Sequence, residues 1–155
     1  MAEISLSTPL DTRLIEQHLP AGEALAVFNA AYPGAGAVVS FLGNVRPDDT
    51  VEALELTHYE LLTLPGIESL AQQALDRFAL TGVLAWHRVG VMVPGDPIVL
   101  VAAAARHRRD AFAGAEFLMD HLKSASWLWK REKRADGWHW IEPRAVDHGD
   151  RARWE

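Results

Sequence analysis

Ile98–Ala105 is an unbroken run of eight apolar residues, rich in valine and alanine, opened by the turn Pro94-Gly-Asp-Pro97 and closed by Arg106-His-Arg-Arg. A strand with no polar face has to be covered on both sides, so this run reads as a central strand of a sheet with packing above and below. The residues that follow change period. Ala111, Ala115, Leu118 and Leu122 fall on one face of a helix over Arg108–Lys123. A buried strand feeding directly into an amphipathic helix needs a layered fold with more strands and helices around it.

The rest of the chain supplies them. Gly36–Val45 reads as a second buried strand, Val51–Glu60 as a strand with one wet face, and Val83–Val93 as a further strand. Ala21–Ala31 and Leu64–Phe78 have helical spacing. A short strand is expected over Ile4–Ser7, and Asp11 is placed to cap a short helix running to His18. Trp127–Lys133 and Trp138–Glu142 flank Ala135-Asp-Gly137 as a hairpin. The tail from Asp147 is polar and is expected to fray, with Trp154 the one residue in it suited to docking. The mixture indicates an α+β fold in a single domain spanning 1–155, with the hairpin suggesting a small subdomain. Exposed Trp127, Trp129, Trp138 and Trp140 suggest an interface as readily as core packing.

Composition narrows the function. The formal net charge is -6, which disfavours nucleic acid and anionic membrane as partners, and no apolar run reaches the ~18 residues of a bilayer span. The N-terminus carries no signal-peptide pattern, so a cytoplasmic location is expected. There is no cysteine, which excludes disulfides, thiolate metal sites and a cysteine nucleophile or persulfide carrier. The seven histidines show no metal-ligand spacing, and neither a metal nor a resident cofactor is expected. His58, His87, His121 and His139 read as structural.

Lysine usage is the sharpest chemical signal. Twelve arginines are spread along the chain, but the only three lysines, Lys123, Lys130 and Lys133, lie within eleven residues. Guanidinium does not release a proton near neutral pH, whereas a partly buried lysine can. Lys123 and Lys130 are therefore candidates for acid/base or covalent chemistry. A second cluster, Arg106-His107-Arg108-Arg109, opens the helix. Cations there cost roughly 0.3–1 kcal/mol each against the helix dipole, a cost that a bound anion would offset. His107 and Lys123 lie about 24 Å apart along a straight helix, at 1.5 Å per residue. One small ligand cannot touch both ends of one helix. A dimer would solve this by bringing the helix start of one subunit to the lysines of the other.

The ordered fragments Gly43-Asn-Val-Arg46, His87-Arg-Val-Gly90, Pro94-Gly-Asp96, His107-Arg108-x-x-Ala111-Phe112, Met119-Asp120-x-Leu122-Lys123 and Trp129-Lys130-Arg131-Glu132 resemble the large, catalytic subunit of molybdopterin synthase. The resemblance runs from about Gly36 to Arg144. It implies an α/β-hammerhead fold with an additional antiparallel β subdomain. It implies sulfur transfer that turns cyclic pyranopterin monophosphate into molybdopterin. The sulfur would come as the C-terminal Gly-Gly thiocarboxylate of a small ubiquitin-like partner, two being consumed per product through a mono-sulfurated intermediate. The implied assembly is a homodimer of large subunits within a heterotetramer. Carried over by position, Lys123 and Lys130 are the catalytic lysines. Arg46, His107, Arg108 and Arg144 hold the phosphate and shape the pocket, and Asn44 and Val45 beside Arg46 join the substrate-binding set. Phe41, Met119, Arg131 and Glu132 are pocket-lining, the last two also counted with the substrate. Asn44 departs from members that have lysine there. A cysteine-free sulfur-transfer enzyme must receive its sulfur from outside, as this family does. The alternatives from the residues alone are a non-catalytic dimeric module binding a phosphorylated metabolite, and an interaction protein working through its tryptophan-rich hairpin.

Overall fold

A computed structural model describes residues 3–125 and 127–155. The elements run β1 (Leu10–Ile15), α1 (Ala21–Ala31), β2 (Ala37–Asn44), β3 (Ala53–His58), α2 (Thr63–Arg77), β4 (Leu80–Arg88), β5 (Gly90–Met92), β6 (Pro97–Ala105), α3 (Arg108–Lys123), β7 (Leu128–Arg134), β8 (Gly137–Ile141) and α4 (Ala145–Ala152). They make an α+β fold with two four-stranded sheets, ordered β1-β4-β6-β2 and β5-β3-β7-β8.

The apolar run is the interior strand β6, flanked by β4 and β2, both antiparallel to it. Its alternate residues serve two cores. Val99, Val101, Ala103 and Ala105 pack with the buried faces of α2 and α3, while Leu100, Ala102 and Ala104 pack with Phe28, Ala24 and Leu19 around α1. That division explains why the strand has no polar face. On α3, Ala111, Gly114, Ala115, Leu118, Met119 and Leu122 form the buried stripe. Gly114 is needed there for close approach: a Cβ would come within 2.7 Å of the Leu80 side chain.

Three sequence expectations ahead of the tail fail. Asp11–His18 does not begin a helix. Leu10–Ile15 is instead a strand parallel to β4, and the buried Asp11 carboxylate accepts bonds from Trp86 Nε1 (2.7 Å), the Ser7 N–H (2.8 Å) and Arg13 Nε (2.9 Å). Ile4–Ser7 forms no strand; Ile4 and Leu6 pack against the α1 core. Val83–Val93 is not one strand. Gly90, with φ of 91°, breaks it, sending Leu80–Arg88 to the first sheet and Gly90–Met92 to the second.

The polar tail does not fray. Ala145–Ala152 is a helix whose far end is fastened to α3 and α2. Trp154 sits edge-on to Phe78 and Phe117 at 5.5 and 5.7 Å, and its Nε1 donates to Asp120 at 2.7 Å. Arg153 donates to the same carboxylate at 2.7 Å, and Arg77 to the Trp154 carbonyl at 2.9 Å. Among the described residues no helix is long and apolar enough to cross a membrane.

Candidate active site

Lys123 is the last residue of α3, and the chain turns back through Ser124 and Trp127 into β7. This return is anchored. The Trp127 carbonyl accepts from Thr63 Oγ1 at 2.7 Å, and its ring lies so close to α2 that a Cβ on Gly66 would come within 2.5 Å of it. The period of β7 then decides which side chains face Lys123. Lys130 and Glu132 point to the same side as Leu128, while Trp129 and Arg131 point to the other.

The result is a cavity between the two sheets, closed by the start of α4. Its outer part, about 270 Å³, is polar and brings Asn44, Val45, Arg46, Lys123, Lys130, Glu132 and Arg144 together, with Asp48 and Asp147. Its inner part, about 100 Å³, is mainly apolar, with Met119, Leu122, Leu56 and His87 on its walls beneath the same two lysines. A bulge between Gly43 and Asn44 turns the end of β2 toward this cavity. The Pro94–Asp96 turn holds the strand end, because the Val45 N–H donates to the Asp96 carbonyl at 2.8 Å and the Val45 carbonyl accepts from Gly95 at 2.8 Å.

Residues expected at the site but placed elsewhere lie in three places. His107 and Arg108 lie at the opposite end of α3, where they line a shallow basin with Gly36, Arg106 and Arg109. The helix thus separates this basic basin from the lysine cavity within one chain. Arg131 is turned to the outer face of the second sheet, where it pairs with Glu55 at 2.8 Å and stacks on Trp138 at 4.4 Å. Phe41 lies on the outer strand β2, and its side chain is exposed. Trp129 and Trp140 are exposed on the second sheet, whereas Trp127 packs against the main core.

Four titratable cavity residues escaped the sequence: the exposed Asp48 and Glu142, and the buried Asp147 and His87. Asp147 sits in the segment expected to fray; the signal was the spacing Arg144-x-x-Asp147, in which residue N3 caps the helix start. The Arg144 N–H donates to Asp147 Oδ2 at 3.1 Å, and Arg144 Nη2 lies 3.4 Å from Oδ1. His87, read from sequence as structural, is buried at the inner wall. Its Nδ1 lies 2.8 Å from the Arg88 carbonyl. A carbonyl only accepts, so Nδ1 carries the hydrogen.

The electrostatics follow from burial and crowding. Desolvation, then the charge of Lys123, hold the Lys130 ammonium below the usual lysine range, against the pull of Asp147 and Glu132. His87 is pushed down to about 4, first by burial and then by the two lysines, despite its backbone bond. This gives a stability prediction. His87 is neutral in the folded chain but protonates near 6.5 when unfolded, so the unfolded state binds more protons between these values. Folding stability should fall by about 3 kcal/mol as pH drops from about 6.5 to about 4. Asp11 and Asp147 are held below the carboxylate reference of 3.8, so their stabilisation is lost only at lower pH. Urea titrations at pH 7 and 4.5 on the natural chain and on His87→Gln check this; an equal acid loss in both would refute the assignment to His87.

Among the described residues no cluster of three or more His, Asp or Glu could hold a metal ion. The chemistry on offer is that of two lysines, Lys130 held below the usual lysine range, and two guanidinium groups around a space suited to a small anionic ligand.

Comparison with known proteins identifies a family. The MoaE protein family model matches residues 14–125. A molybdopterin synthase catalytic subunit from Caulobacter vibrioides is 44% identical over 143 residues, covering 92% of this chain and 95% of that protein. The solved structure of a molybdopterin biosynthesis MoaE protein from Burkholderia ambifaria superposes with a TM-score of 0.78 at 40% identity, over 92% of this chain and 96% of that one. Molybdopterin synthase from Staphylococcus aureus superposes with a TM-score of 0.65 at 26% identity, over 83% and 94%. A family model spanning most of the chain, and relatives this similar over nearly their full length, place it: this chain belongs to the MoaE protein family, that of the molybdopterin synthase catalytic subunits.

Proposed function

We propose that this chain transfers sulfur from a thiocarboxylated small partner subunit to cyclic pyranopterin monophosphate, building the dithiolene of molybdopterin in the cytoplasm. The observation that carries the reading is the convergence of Lys123 and Lys130 with Arg46 and Arg144 on one cavity, in a chain without cysteine. The arginines answer the substrate's phosphate. The lysines supply proton transfer as sulfur displaces oxygen at carbon, with Lys123 toward the incoming thiocarboxylate and Lys130 toward the pterin side chain. The inner, apolar part of the cavity suits the polarisable sulfur and excludes water from it.

His107 and Arg108 join the site from a second copy of the chain, since their own helix holds them about 24 Å from Lys123. The working unit is then a homodimer carrying two small subunits. Mixing the purified protein with a thiocarboxylated Gly-Gly small subunit and the cyclic pterin should yield molybdopterin, detected by reconstitution of a cofactor-free molybdoenzyme. Substrate binding without product would instead favour the non-catalytic module.

A further inference from the structure

The polar part of the cavity gathers four cations, Arg46, Lys123, Lys130 and Arg144, against the acids Asp48, Glu132, Glu142 and Asp147. Three of those acids are exposed or already paired. Asp48 is exposed and accepts from the Thr50 N–H and hydroxyl at 2.8 and 2.7 Å. Glu132 is taken by Arg134 at 2.8 Å, outside the cavity, and Glu142 is exposed. Asp147 differs. Its residue is only 6% exposed, and the partner it binds, Arg144, lines the cavity.

The helix that carries it is tied at both ends to the site. At its start, Asp147 fixes the Arg144 backbone, where φ of -70° and ψ of 155° turn the chain into α4. At its far end, Arg153 and Trp154 both hold Asp120, one turn before Lys123 on α3. The α4 segment thus spans from the helix of Lys123 to the rim arginine, with Asp147 at its Arg144 end.

We propose that Asp147 is a positioning residue of the lysine cavity: it fixes Arg144 at the rim through the helix start that it caps, and it supplies the buried negative charge that lets Lys123 and Lys130 stand side by side.

The charge relations agree. Burial pushes the Asp147 carboxyl up, but the bonds from the Arg144 side chain and backbone, with the charges of Arg144 and Lys123, hold it below the usual range. The carboxylate is therefore ionised wherever the lysines titrate. Lys130 feels it as the largest influence opposing burial and Lys123. The other charged or titratable groups around Lys130 are Glu132 on its own strand, Glu142, Arg144, Arg46 and Asp48 on the flanking loops, and neutral His87 on β4.

The meaning of this role for sulfur transfer rests on the proposed function, but its first test does not. With three lysines in the chain, 13Cε-lysine labelling of the full protein gives three signals, assignable by single Lys→Arg variants. Asp147→Asn keeps an oxygen for the Arg144 N–H and removes the charge. The titration midpoint of Lys130 should then fall, while that of exposed Lys133 stays in place. Asp147→Glu should leave Lys130 close to its natural value. In the synthase assay Asp147→Asn should raise KM for the cyclic pterin about tenfold, the loss of a charge-assisted contact, and carry the Lys130-dependent limb of the kcat profile to lower pH. A merely structural cap would lower the melting temperature without moving either. A folded Asp147→Asn protein with Lys130 unmoved overturns the proposal. So does failure of both Asp147→Asn and Asp147→Ser to fold, which would make the residue purely structural. If the natural protein makes no molybdopterin, the functional reading fails while the lysine titration still decides the role of Asp147.

Discussion

Exchanging Lys130 for arginine is expected to reduce turnover by about 10²–10⁴-fold, the range over which a positioned acid or base contributes, with little change in melting temperature. Arginine keeps the positive charge and approximates the length of the side chain. It loses the ability to give up a proton, because guanidinium stays charged at any pH the protein survives. Lys130 is the group prepared for that exchange: half-buried, beside a second ammonium, and held below the ordinary lysine range. Lys123→Arg tests the neighbouring position in the same way. Steady-state assays with saturating small subunit and pterin measure the effect. If Lys130 works as a base, kcat in the natural protein rises with pH through its lowered value and levels off before the 10.5 of an ordinary lysine. A Lys130→Arg enzyme with natural turnover would reduce the lysine to a fixed charge and favour the non-catalytic reading.

A comparably large effect is expected at the other end of α3. Removing His107 and Arg108 together should cost about a hundredfold or more in kcat/KM, as loss of substrate positioning does, although neither residue approaches the lysine cavity of its own chain. The decisive form of the experiment mixes two inactive proteins, His107→Ala/Arg108→Ala and Lys123→Ala/Lys130→Ala. Each forms dimers in which both shared sites are defective. Random reassociation makes about half the dimers mixed, each with one intact site, so about a quarter of natural activity should return. No recovery, in a sample where subunit exchange is demonstrated by mass, would confine the site to one chain.

The same helix shows how far local pattern carries. Arg108–Lys123 is legible to the residue, because its apolar stripe, its basic opening and its end all lie within one continuous segment. The apolar run before it is equally legible as an interior strand. The lysine pair could be named from composition alone, since three lysines among twelve arginines is a property of the list of residues. Convergence is a different matter. Whether Lys130 or Arg131 faces Lys123 depends on the register of β7 against β3, and neighbours on a strand point to opposite faces. Arg131 therefore left the set on geometry that its sequence position cannot express.

The N-terminal segment and the tail mark the limit more sharply. Asp11 is as good a helix cap as the sequence contains, but its carboxylate is claimed by Trp86, 75 residues away, and the chain becomes a strand instead. Residues 147–155 are polar enough to be left in water, yet Trp154 reaches Phe78 and Phe117, and Arg153 reaches Asp120. In both cases distant partners outweigh a local preference worth about 1 kcal/mol or less.

The sequence by itself determined the layered α+β fold around one apolar strand, the absence of an internal sulfur carrier, the basic opening of α3, the lysine cluster that starts at its end, and the distance that keeps the two apart. Those follow from period, composition and the rise of a helix, all local quantities. Only the tertiary structure decided that Gly90 hands the chain from one sheet to the other, that β7 presents Lys130 rather than Arg131, and that the last helix closes the cavity with Asp147. Each of these depends on contacts between segments far apart in the chain, whose energies are set by burial and pairing in three dimensions and leave little trace in any short stretch of residues.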